Sequence, residues 1–100
     1  MKKISIRDLL SSPDEIPEGW FYLSSDRMTW SINSIGIFPD ENIEEEVDNI
    51  EEDPNWMVTL DNATIEDLVE NLTMSVGKPT IEELFEAFLF YFDNDAFIDK

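Results

Sequence analysis

Residues 56–72, WMVTLDNATIEDLVENL, decide the fold class, because one kind of local structure gives way to another within them. Trp56-Met57-Val58-Thr59-Leu60, introduced by Pro54-Asn55 and closed by Asp61-Asn62, reads as a strand. Thr64 with Asp67 three residues on is a capping signature, and Ile65, Leu68, Val69 and Leu72 fall at i, i+3, i+4 and i+7. That spacing predicts an amphipathic helix to about Met74, its other face made of Glu66, Asp67, Glu70 and Asn71. Val76-Gly77-Lys78-Pro79 breaks the chain, and a second box, Thr80 with Glu83, opens a last helix over Ile81 to Phe92. Its stripe of Ile81, Leu84, Phe85, Phe88 and Tyr91 is widened by Leu89, Phe90 and Phe92. A helix that apolar is either central to a core or partly an interface.

Toward the N-terminus, Ser5 followed by Asp8 predicts a short helix over Ile6 to Ser11 with Ile6, Leu9 and Leu10 inward, ended by Ser12-Pro13. Trp20-Phe21-Tyr22-Leu23-Ser24 is short, aromatic and bounded by turn residues, as a strand would be. Met28 to Phe38 carries Trp30 and Ile32 on one alternation and Ile35 and Ile37 on the other, with Gly36 between. That phase change predicts a bulged strand or two short strands, antiparallel to Trp20–Ser24. The expectation is one α+β domain over residues 1–100: a small antiparallel sheet of about three strands with the C-terminal pair of helices packed on one face. The element order expected is helix, strand, strand, acidic segment, strand, helix, helix.

The chain has 100 residues, 24 Asp or Glu against 6 Lys or Arg, no His and no Cys, for a formal charge of −18. The apolar share of 42% speaks against intrinsic disorder. Without Cys there is no thiol nucleophile, disulfide or thiolate zinc site, and without His the commonest general base is missing. Paired serines lack an oxyanion-hole motif, Gly77-Lys78 lacks the glycines of a phosphate loop, and Asp93-Asn94-Asp95 with Asp99 lacks the glycine and bidentate Glu of a calcium loop. No enzyme, cofactor or specific metal is expected. Arg7 and Asp8 interrupt any apolar leader and no run reaches membrane-spanning length, so a cytoplasmic protein is expected.

The charge is polarised. Lys2, Lys3, Arg7 and Arg27 precede Trp30, whereas from Asp40 to Asp99 there are nineteen acids and one base, Lys78. Nine carboxylates lie in the fourteen residues from 40 to 53: Asp40, Glu41, Glu44, Glu45, Glu46, Asp48, Glu51, Glu52 and Asp53. Ile43, Val47 and Ile50, at i, i+4 and i+7, allow a helix held by a narrow seam; the alternative is a mobile acidic loop. Such a charge repels phosphate backbones and anionic membranes, so nucleic acid and lipid are not the expected ligands and a basic protein is. The candidate binding set is those nine carboxylates with Trp56, Glu66, Asp67 and Glu70.

Asp8-Leu9-Leu10, Ile16-Pro17-Glu18-Gly19-Trp20, Tyr22-Leu23, Trp30-Ser31, Asn71-Leu72, Ala87-Phe88, Tyr91-Phe92 and Asn94-Asp95-Ala96-Phe97-Ile98 together form a pattern that resembles a family of small, acidic, functionally uncharacterised bacterial domains. The resemblance covers most of the chain except the acidic segment, and it brings no catalytic residues. In size and composition alone the chain is also similar to immunity proteins, the cytoplasmic antidotes of bacterial toxins, including contact-dependent ones. That similarity implies a protein that neutralises a basic, nuclease-type toxin domain by occluding its phosphate-binding cleft. The alternatives are a DNA mimic acting on a host nucleic-acid-binding protein, and a homodimeric adaptor using Leu89, Phe90 and Phe92.

Overall fold

A computed structural model describes residues 1–99. The chain forms β1 (Lys2–Ser5), α1 (Ile6–Ser11), β2 (Trp20–Ser24), β3 (Ile35–Phe38), α2 (Glu44–Glu52), β4 (Trp56–Asp61), α3 (Asn62–Val76) and α4 (Ile81–Asn94). The strands make one sheet in the order β1-β3-β2-β4, every pairing antiparallel. The α+β class is as expected, but the sheet has four strands among the described residues. The additional one, β1, pairs along its whole length with β3, Lys2 opposite Phe38 and Ser5 opposite Ile35. It is four residues long and half lysine, so nothing local marks it; the partner across the sheet creates it.

β1 runs straight into α1, whose cap is the one expected: Ser5 Oγ accepts the Asp8 N–H at 3.1 Å. Two orphan donors of that helix start, Ile6 N–H and Arg7 N–H, reach the carbonyls of Ser34 (2.9 Å) and Ile32 (2.8 Å). The stretch before β3 therefore does not continue as a strand. Residues 27–29 form a single 3-10 turn capped by Asp26, and Trp30 folds inward, its indole N–H donating to the Ser24 carbonyl at 2.8 Å. Only Ile35–Phe38 of the expected Met28–Phe38 strand pairs, and it does lie antiparallel to β2.

Within β3, Gly36 faces the main core together with Phe38. A Cβ there would meet Cζ of Phe21 at 2.1 Å, so the Phe21 ring occupies the space a side chain would take. Phe21 is the centre of the main core, its ring 5.2 Å from that of Phe38 and edge-on to Phe88 at 6.4 Å. Ile6, Leu9 and Leu10 of α1, Ile65, Leu68 and Leu72 of α3, and Leu84, Ala87 and Phe88 of α4 close over this face of the sheet. The C-terminal helix pair thus packs on one face, joined there by α1.

α3 begins at Asn62 and takes Asp61, not Thr64, as its cap: Asp61 Oδ1 accepts the Thr64 N–H at 3.1 Å. Thr64 falls in the first turn because β4 turns into α3 with no intervening loop. Asn62 locks the junction, its N–H donating to the Gly19 carbonyl (2.9 Å) and its Oδ1 accepting the Gly19 N–H (3.0 Å). α4 has the expected capping box, Glu83 N–H to Thr80 Oγ1 at 3.1 Å and Thr80 N–H to Glu83 Oε1 at 3.0 Å. Its wide apolar stripe packs inward in part: Leu89, Tyr91 and Phe92 lie against the core, and the Phe92 ring is 5.4 Å from that of Trp30.

Candidate partner-binding surface

Successive side chains of a strand point to opposite faces, so the residues between those of the core must emerge on the other side of the sheet. On β2 these are Trp20 and Tyr22; on β3, Ile35 and Ile37. The register sets Val58 opposite Tyr22 and Trp56 opposite Ser24, which brings both β4 residues to that second face. Here α2 lies, separated by the sheet from the other helices.

The acidic segment is a helix over Glu44–Glu52, and Ile50 is its buried residue, packed with Tyr22, Ile37 and Trp56. Val47 is half-buried, while Ile43 precedes the first turn and is 47% exposed. The narrow apolar seam therefore reduces to Ile50 with help from Val47. Glu44, Glu45 and Glu46 occupy the first turn, where the helix dipole favours negative charge; Glu51 and Glu52 sit at the last, where it does not, and no basic residue is there.

The nine carboxylates of residues 40–53 divide by role. Glu44, Glu45, Asp48, Glu51 and Glu52 are exposed on α2. Asp40 and Glu46 tie the loop to the helix: Asp40 Oδ1 accepts the Asn42 N–H (2.9 Å), and Glu46 Oε1 accepts the Asp40 N–H (3.1 Å) and the Met1 amine (2.5 Å). These donors, the amine above all, hold the Glu46 carboxyl below its ordinary range. Asp53 Oδ1 accepts the Asn55 N–H at 2.9 Å and so shapes the turn into β4. Glu41 lies against Gly19, where a Cβ would come within 2.4 Å of its Oε1 and where φ is +116°. Only glycine fits there. Glu66, Asp67 and Glu70 are exposed on α3, on the far side of the sheet, and are not brought together with α2.

Trp56 lies at the foot of α2, half-buried against Ile50, Tyr22 and Ile37. It lines two grooves flanking the helix. One, of about 420 Å³, is bounded by Trp20, Tyr22, Glu51, Trp56 and Val58. The other, of about 340 Å³, includes Lys3, Ile35, Ile37, Asn49, Ile50 and Asp53. Trp20 and Val58 are 49% and 45% exposed, large apolar side chains open to solvent beside a carboxylate. Sequence reasoning left Trp20, Tyr22 and Val58 out of the candidate set. Alternation along 20–24 and 56–58 was the available signal, but the strand register was needed to join the two runs, and an irregularity in the β2–β4 pairing returns Leu60 to the main core.

The arrangement defines a class: an α+β domain whose sheet carries a packed helical layer on one face and a single acidic helix over aromatic residues on the other. Among the described residues no helix is long and apolar enough to cross a membrane, and no group of three or more acidic side chains is placed to hold a metal ion. The chain belongs to the family described as Domain of unknown function (DUF7716), which matches residues 3–100 and so includes the acidic segment. No curated protein and no solved structure matches it.

Proposed function

We propose that this protein is a cytoplasmic, non-catalytic binding protein that neutralises a basic protein partner, most plainly an immunity protein blocking a nuclease-type toxin domain. The observation that carries the reading is α2: an ordered helix whose exposed residues include Glu44, Glu45, Asp48, Glu51 and Glu52, with no cation of its own, seated on the sheet through Ile50. Glu44, Glu45, Asp48 and Glu52 make no ion pair among the described residues. Fixed carboxylates of this density match the Lys and Arg that hold phosphates in a nuclease cleft, and charge-assisted pairs of that kind are the stronger hydrogen bonds. Long-range attraction would raise the association rate at low salt.

The test is capture from lysate of the source organism in rising salt, identification by mass spectrometry, and reconstitution with the purified partner. A stoichiometric basic toxin domain whose association rate falls at least about tenfold with Glu44→Lys, Glu45→Lys and Asp48→Lys together, folding unchanged, is the expected result. A host nucleic-acid-binding protein in its place would favour a DNA mimic. Association indifferent to these reversals would overturn the reading.

A further inference from the structure

The groove between α2 and β4 brings aromatic walls and a single carboxylate together at the foot of the acidic helix. Its walls are the indoles of Trp20 and Trp56, the phenol of Tyr22 and the Val58 side chain, and Glu51 is the one charge lining it. Apolar walls alone would suit many occupants, so charge must choose among them. A second copy of this chain would bring a further net charge of −18 against α2, and an anionic or hydrophobic ligand would gain nothing from Glu51. A flat cation satisfies both components: it stacks on aromatic faces and pairs with a carboxylate.

The protein already contains one such arrangement. Arg27 lies 5.7 Å from the ring centroids of both Trp30 and Phe92, while its guanidinium forms a two-point pair with the Asp93 carboxylate, Nη2 to Oδ2 at 2.6 Å. Two rings and one carboxylate hold an arginine there within the chain. The α2–β4 groove presents the same chemistry outward, and its sister groove, flanked by Lys3, does not.

We infer that this groove receives an arginine side chain of the basic partner, its guanidinium lying against Trp20, Tyr22 and Trp56 and pairing with Glu51. The inference rests on the binding reading above and gives it an anchor: the carboxylates of α2 steer the partner and the groove fixes its register. Interfaces concentrate their energy in such aromatic and arginine positions.

The probe is a blocked Gly-Arg-Gly peptide, compared at constant ionic strength with Gly-Lys-Gly and with the citrulline analogue, whose side chain is flat but uncharged. Heteronuclear NMR follows the indole N–H of each tryptophan. The arginine peptide is expected to shift Trp20 and Trp56 and leave Trp30, with lysine weaker and citrulline weakest. Trp20→Ala and Glu51→Gln are each expected to weaken it roughly three- to tenfold, and Glu44→Gln by less than about twofold. Val58→Arg, which supplies a guanidinium from the protein itself, should abolish the response.

Arginine and lysine peptides that shift α2 amides equally, with the indoles unmoved, would overturn the groove inference and leave the charge reading intact. So would a captured partner that binds Trp20→Ala as tightly as wild type. Indole shifts that grow with protein concentration in the absence of peptide would overturn it in favour of a second copy.

Discussion

Tyr22 and Glu51 face one another across the α2–β4 groove, one from the sheet and one from the acidic helix. Burial, with the Glu51 charge added, raises the Tyr22 pKa above its ordinary 10.0. Both causes disfavour the phenolate in the folded state.

A raised folded pKa means that the folded protein keeps a proton the unfolded chain gives up. The stability Tyr22 contributes is present in full below pH 10.0 and is lost as pH rises through the folded value. Urea midpoints of wild type should therefore fall faster than those of Tyr22→Phe once pH exceeds 10.0. Parallel curves would show that Glu51 and burial leave the phenol unperturbed.

Asp93 has the opposite sign. Its hydrogen-bonded pair with Arg27 lowers the carboxyl below its ordinary 3.8, so its contribution holds above that value and disappears as pH falls through the folded one. The deficit of Asp93→Asn relative to wild type should be small at neutral pH, as befits an exposed pair, and should close in acid. A deficit independent of pH would mean that Asp93 acts by packing rather than by charge.

Ile50 is the buried residue of α2 and its attachment to Tyr22, Ile37 and Trp56. Ile50→Ala should cost about 2–4 kcal/mol by calorimetry or denaturant unfolding, within the range for large-to-small changes at buried sites. Hydrogen exchange should quicken first in α2, with Phe21, Leu68 and Phe88 still in a protected core. Uniform loss of protection would show that the helix and the main core unfold as one unit.

Gly36 admits the Phe21 ring, and a methyl group there has nowhere to go without moving Phe21 or the Tyr22 carbonyl, 2.7 Å away. Gly36→Ala should lose about 1–3 kcal/mol, the usual penalty for overpacking, and Phe21→Leu should return part of it. Additive losses in the double variant would contradict the contact.

At the C-terminal end of α2, Glu52 opposes the helix dipole and stands four residues from Asp48. Glu52→Lys removes the first repulsion and converts the second to attraction, and the melting temperature should rise by a few degrees. Added salt should stabilise the wild type more than the variant, since screening and charge removal relieve the same self-repulsion.

How legible these features were depends on how local their causes are. The caps at Ser5/Asp8 and Thr80/Glu83 could be read because each joins atoms three residues apart. Trp20–Ser24 was bounded correctly by its own turn residues. Trp30 was misread as part of a strand, since an inward-turned indole and a strand residue look alike until Ser24 and Phe92 are placed around it. β1 escaped because its cause is Ile35–Phe38, some thirty residues away.

The amino-acid order by itself determined the charge and its concentration in residues 40–53, the α+β class, and the helices α3 and α4, because composition, capping and apolar spacing act over a few residues. It was the tertiary structure that decided which face each carboxylate occupies: α2 went to one side of the sheet and Glu66, Asp67 and Glu70 to the other. It likewise joined Trp20 and Tyr22 with Trp56 and Val58. Their adjacency follows from strand register, and register is set by burying Phe21, Leu23 and Met57 on the opposite face, an energy that exists only once distant parts of the chain have met.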